Sequence, residues 1–282
     1  MSKNLLVAPV LKWVGGKRQL FETFKPLFPK KLSRYTYCEP FLGGGAIFFK
    51  LQPAKAYVND INEDLMLVYT VIRDDVNNLI ELLSAFTNDA ESFYAVRDLD
   101  RNKKIFSQLS DLERAARIIF LNKTCFNGLY RVNNAGEFNT PFGNYRNPNI
   151  VNAPTLLAVS KYLNSGEITL TACDYSEVLL KLKKNSFVYL DPPYYPISTT
   201  SNFTGYVKSG FNRDEQIRLR DCCDELTERG IKFMLSNSDT EFIHEIYSNP
   251  FYNITPVKAK RAVNSVASKR GDVDELVIRN YD

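Results

Sequence analysis

The chain has 282 residues, 44% hydrophobic and 24% charged, with a formal net charge of +4. That length allows one large or two small domains with a proper core, and the composition is that of an ordinary globular protein. No apolar run approaches the roughly 20 residues that span a bilayer, and the first residues lack the apolar core of a signal peptide, so a cytoplasmic location with no membrane partner is expected.

In chain order, YTYCEP (35–40) reads as a short strand, FLGGG as a turn and AIFFKL as the helix after it. AYVND (56–60) is a second strand, followed by one long helical pattern from Asn62 to about Phe86. A further helix opens with the capping box Ser110-x-x-Glu113 and runs through LERAARIIFLN. The Asn-, Gly- and aromatic-rich stretch after it suggests a β-hairpin with a four-residue turn at NNAG (133–136). Strand–helix rhythm then resumes: EITLTACD and FVYLD are strands, Asn212-x-x-Glu215 opens a helix that Gly230 closes, and IKFMLSN and DELVIRN are the final strands. Alternation of this kind predicts an α/β domain with a largely parallel sheet and an inserted middle segment.

Five cysteines, Cys38, Cys125, Cys173, Cys222 and Cys223, are odd in number and lack C-x-x-C spacing, so they read as reduced thiols. The single histidine, His244, in the helical stretch TEFIHEIY, reads as an ordinary surface residue; neither a metal nor a Ser-His-Asp triad is expected. KAKRAVNSVASKR (258–270) holds five basic residues and no acid: a solvated loop or a phosphate-contact surface.

Three stretches carry chemistry. The glycines of EPFLGGG let backbone amides approach a ligand at the carboxyl end of a first strand, although a mere tight turn uses glycine equally well. Asp60 ends the next strand, where an acid can hold both hydroxyls of a ribose or cap the following helix. In SFVYLDPPYYPIS the prolines fix the backbone and leave its carbonyls without competing donors. Asp191 and the Pro192 carbonyl can then converge on a planar NH2 group while the Tyr194 ring lies against its face. A plain Pro-Pro turn with a surface acid is the simpler alternative.

FLGGG, VND, an inserted region, ACDY and DPPY, in that order, resemble the Dam family of DNA adenine-N6 methyltransferases (Dam/DpnM-like, with the alpha-type order of motifs). KWVGGKRQL, FNGLYR, GEFNTPFG, NFTGY and SNSDT extend the resemblance over nearly the whole chain. It implies a Rossmann-like S-adenosylmethionine-dependent domain in two parts, residues 1–62 and 154–282, around an inserted, mainly helical target-recognition domain, 63–153, carrying the β-hairpin. It also implies S-adenosylmethionine as methyl donor and an adenine in double-stranded DNA as acceptor, within GATC. Trp13, Lys17, Phe41, Gly43, Gly45, Asp60, Asp174, Tyr175 and Asp191 would bind the donor, and Asp191, Pro192, Pro193 and Tyr194 would form the catalytic turn. Lys12, Asn127, Leu129, Arg131 and Pro141 would read DNA, and the basic run offers Arg261, Lys269 and Arg270. Where many relatives have PFGRY this chain has PFGNYRNP; on an extended backbone Arg146 shares a face with Asn144 and could replace the missing arginine. A monomer is expected, with a cognate restriction endonuclease where the system carries one.

An NAD-dependent oxidoreductase would share the glycine turn and Asp60 but would leave DPPY without a task. A methyltransferase for RNA or another amino group could share the donor site, and a catalytically idle DNA-binding module would not need DPPY.

Overall fold

The apolar run ahead of Asp191 is buried at all five positions, Ser186–Leu190, as expected of a strand covered on both faces. The computed structural model describes residues 3–197, 210–260 and 272–282; the NFTGY stretch and the basic positions Arg261, Lys269 and Arg270 lie outside the described residues. The strands in chain order are β1 (Thr36–Glu39), β2 (Lys55–Asn59), β3 (Glu167–Thr171), β4 (Ser186–Leu190), β5 (Lys232–Ser238), β6 (Asn253–Lys260) and β7 (Asp272–Arg279). The chain divides into two compact units: Met1–Gly16, Leu42–Ala54 and Asp60–Cys173 form the first, and Lys17–Phe41, Lys55–Asn59 and Asp174–Asp282 the second.

The second unit is Rossmann-like. Its strands run β2-β1-β4-β5-β7-β6; β1 is parallel to β2 and β4, and β4 to β5, while β7 is antiparallel to both β5 and β6. Chain order reverses between β1 and β4, and at such a switch point the carboxyl ends of the strands form the ligand-binding edge. β1 there leads into Pro40 and Phe41, and β4 into Asp191. Phe187, Val188, Phe233, Met234, Leu235, Val277 and Ile278 are fully buried along these strands.

The sequence reading missed β6. Its run NITPVKAK contains Pro256, which breaks the strand pattern, but the strand lies at the sheet edge, where a residue without an N–H is tolerated.

The first unit is mainly helical, with β3 tied by the Glu167 N–H to the Ala54 carbonyl. The single helix expected from Asn62 to Phe86 is two, Glu63–Asp74 and Val76–Ser84, broken where Asp75 leaves helical geometry (φ −144°, ψ 47°). Two successive acids at a helix C-terminus oppose the helix dipole and favour the stop. The capping box is present: Ser110 caps Asp111–Thr124, and the Glu113 side chain accepts the Ser110 N–H. Around NNAG the chain folds back, but only as antiparallel bridges, Val132 to Phe138 and Cys125 to Phe142. Asn133 shapes the turn by accepting the Ala135 and Glu137 N–H groups. The return arm is anchored by a buried carboxylate: Asp100 accepts the Phe138 N–H at 2.8 Å and Arg117 at 2.7 Å, while Arg101 donates to the Phe138 carbonyl. Among the described residues no helix is long and apolar enough to cross a membrane, and all five cysteines are free.

Candidate active site

In the first unit, Gly43 and Gly45 take positive φ (50° and 68°). A Cβ at Gly43 would lie 3.1 Å from the Trp13 ring and one at Gly45 2.7 Å from the buried Phe49 ring, so both positions need glycine for packing. Their amides are engaged within the protein, Gly43 donating to Asp60 Oδ2 at 2.8 Å and Gly45 to the Leu42 carbonyl. Asp60 Oδ1 accepts the Asn62 N–H at 3.0 Å, and the helix cap is Asn62, which accepts from Leu65. Burial pushes the Asp60 carboxyl up, with the Asn62 and Gly43 amides pulling it back. Each oxygen retains a lone pair, so the carboxylate can still accept a pair of hydroxyls.

In the second unit, Asp191 leaves the end of β4 with its Oδ1 3.3 Å from the Lys17 ammonium and 3.0 Å from the Ser236 hydroxyl. Burial raises its pKa, opposed by Lys17 and Ser236. The Lys17 ammonium lies 4.2 Å from the Tyr194 ring centroid, and the Tyr194 hydroxyl donates to Glu275 at 2.8 Å. Behind the turn, Gln216 donates to the Pro193 carbonyl, Asn237 donates to Gln216, and the Asn237 oxygen accepts the Tyr195 N–H. Both amides are fully buried, so this chain of bonds sets the turn from its inner side. Among the described residues the Pro192 carbonyl has no hydrogen-bond partner. The turn therefore presents two acceptors and one aromatic face.

Lys17, expected at the donor, thus sits with Asp191 and Glu275. Asp174 caps the helix Tyr175–Leu180 through Ser176 and pairs with Arg218, whose guanidinium lies 4.7 Å from the Tyr175 ring centroid. Burial pushes the Asp174 carboxyl up, and its bonds to Arg218 and Ser176 outweigh that and leave it low. Phe41 packs against Tyr175 (5.0 Å between centroids) and Phe211 (5.9 Å), giving an apolar wall. Sequence reasoning missed Glu275, Gln216 and Arg218. In SNSDT, Ser236 binds Asp191 and Asn237 binds the Tyr195 N–H just after DPPY; polar residues ending a buried strand were the available signal.

The residues expected to read DNA fall in the first unit. Asn122, buried inside a helix, bonds both backbone groups of Lys12 and the Gly128 carbonyl. Asn127 has positive φ (58°) and its N–H bonds the Tyr145 hydroxyl. Lys12, Asn127, Arg131, Pro141 and Arg146 are exposed, and Leu129 is half-buried. Arg131 reaches across the fold-back to Asn139 through Nε at 2.7 Å. Asn144 has φ of 50°, so the backbone is not extended there and Arg146 does not share the face of Asn144 as expected.

The chain matches the family of D12 class N6 adenine-specific DNA methyltransferases over residues 13–263. It is 40% identical to the Type II methyltransferase M1.LlaDCHI of Lactococcus lactis subsp. cremoris, over 100% of this chain and 98% of that protein. It is 44% identical to the Type II methyltransferase M.MjaIII of Methanocaldococcus jannaschii (98% and 99%), and 33% identical to the DNA adenine methylase of Salmonella typhi (98% and 95%). The chain belongs to the D12 class of N6 adenine-specific DNA methyltransferases and is an adenine-specific DNA methyltransferase.

Proposed function

We propose that the protein transfers a methyl group from S-adenosylmethionine to the exocyclic amino group of an adenine flipped out of duplex DNA, within GATC. The observation that carries the reading is Asp191 at the carboxyl end of β4, beside the Pro192 carbonyl and the Tyr194 ring. The Asp60 carboxylate, with a lone pair left on each oxygen, suits the ribose hydroxyls of the donor. Trp13, Phe41, Gly43, Gly45, Asp174 and Tyr175 are assigned to it by family position.

An adenine amino group inside a duplex is out of reach, so the base must leave the stack, which costs a few kcal/mol. Stacking on Tyr194, worth about 1–3 kcal/mol, offsets part of that. The amino nitrogen is a weak nucleophile because its lone pair is delocalised into the ring. Hydrogen bonds from both its hydrogens, to Asp191 and the Pro192 carbonyl, favour a pyramidal nitrogen and stabilise its growing positive charge. S-adenosylmethionine supplies the methyl as an electrophile on a sulfonium. The chain's remaining task is alignment, which the proline-stiffened turn serves. Lys12, Asn127, Leu129, Arg131 and Pro141 are proposed to contact bases, and a cognate endonuclease is proposed because two relatives are named Type II methyltransferases. We further propose a monomer acting in the cytoplasm.

Labelled methyl transfer to GATC-containing duplex tests this. Asp191→Ala should abolish transfer and leave DNA binding largely intact; near-normal turnover would sink the mechanism. Mapping methylated adenines in a plasmid from expressing cells tests GATC, and modification elsewhere would overturn it.

A further inference from the structure

On this reading Asp191 must accept from a target amino group, yet its Oδ1 already faces the Lys17 ammonium and the Ser236 hydroxyl. The same ammonium lies close to the Tyr194 ring. Lys17 therefore stands against both groups that the target base requires. Its side chain is only 8% exposed, and a buried ammonium that loses its partner carries a heavy desolvation penalty. A second carboxylate is at hand. Glu275 Oε2 is 3.7 Å from the ammonium, and the Tyr194 hydroxyl fixes that same oxygen. Glu275 extends from β7, which is paired on both sides, by β5 and β6.

We propose that Glu275 is a positioning residue that receives the Lys17 ammonium when a target amino group bonds to Asp191. The inference rests on Asp191 and Tyr194 being the seat of that amino group. One ion pair breaks and another forms, with the proton on Lys17 throughout. Moving Lys17 to Glu275 leaves the Asp191 carboxylate facing the positive charge developing on the amine.

The test is binding, without methyl donor and at about pH 8, of duplexes carrying adenine or purine, which lacks the amino group, at the target position. Wild-type protein should prefer adenine by about tenfold or more, the scale of a hydrogen bond to a charged group. Glu275→Gln should bring the preference close to unity, and adding Lys17→Met should restore it. A Glu275→Gln variant that keeps its preference overturns the proposal, as does a loss that Lys17→Met does not relieve. If Glu275→Gln does not fold, Lys17→Met alone leaves β7 intact and should exceed the wild-type preference; no change overturns the proposal. Wild-type protein that transfers no methyl to adenine overturns the underlying reading and this inference with it. A normal wild type with unresponsive variants overturns only the inference.

Discussion

The carboxamide of Asn122 holds Lys12 by both its backbone groups: the side-chain oxygen accepts the Lys12 N–H at 2.9 Å, and the nitrogen donates to the Lys12 carbonyl at 2.8 Å. The same nitrogen donates to the Gly128 carbonyl at 3.0 Å, so one buried side chain sets the spacing between two segments proposed to read DNA.

Asn122→Ala would leave one N–H and two carbonyls without these bonds, at about 1–3 kcal/mol for a buried group left unpaired. Denaturant titration should show that loss. The residual folded enzyme should lose discrimination between cognate and altered sites more than it loses non-specific binding. Equal losses on both would mean that Asn122 supports the fold alone.

Asp100→Asn breaks a carboxylate–guanidinium pair whose side chains are each 6% exposed. Removing one charge of a buried pair costs about 3–5 kcal/mol because the other is stranded. A urea melt should show a drop of that order, and a cost near that of a surface substitution would mean that the Val96 and Arg97 carbonyls, which Arg117 also binds, suffice to hold it.

Arg131→Ala should cost about 1–3 kcal/mol on the cognate site and relax preference at one base pair, if the arginine grips a guanine edge. In the structure it spans the fold-back to Asn139 with two of its five N–H groups, which leaves three for a base. Binding across a panel of single-base variants tests this; a uniform loss would mark a phosphate or purely structural role. The companion Arg146→Ala should lower the log–log salt slope by about one if Arg146 meets a phosphate.

Lys17→Met should move the acid limb of the pH–rate curve to higher pH. Burial already holds the Asp191 proton to a higher pH than an ordinary carboxyl, and Lys17 works against it. Without Lys17 the proton is held higher still, and activity that needs the carboxylate is lost earlier as pH falls. kcat/KM measured from about pH 5 to 9 checks this, and an unmoved limb would mean that Lys17 does not act on Asp191.

Local patterns were legible where one short stretch settles the outcome. Ser110 and Glu113 specify their own cap, and the buried run before Asp191 is a strand because every residue in it is apolar or small. β6 was illegible because Pro256 argues against a strand unless its place at an edge is known, and edge position belongs to the whole sheet. The face of Arg146 was illegible because it turns on one backbone angle at Asn144, which no periodicity reports. Lys17 was found as a residue but not as a neighbour of Asp191: 174 positions of chain separate them, and only the fold closes that distance.

The place of β7 between β5 and β6 constrains how the protein is made. β6 leaves the ribosome first, yet its pairing partner in the finished sheet is β7, so it must wait for a later segment before it has a ladder to join. Glu275 arrives on that same late strand. A nascent chain that already displays DPPY therefore lacks the acceptor for the Tyr194 hydroxyl until β7 has emerged.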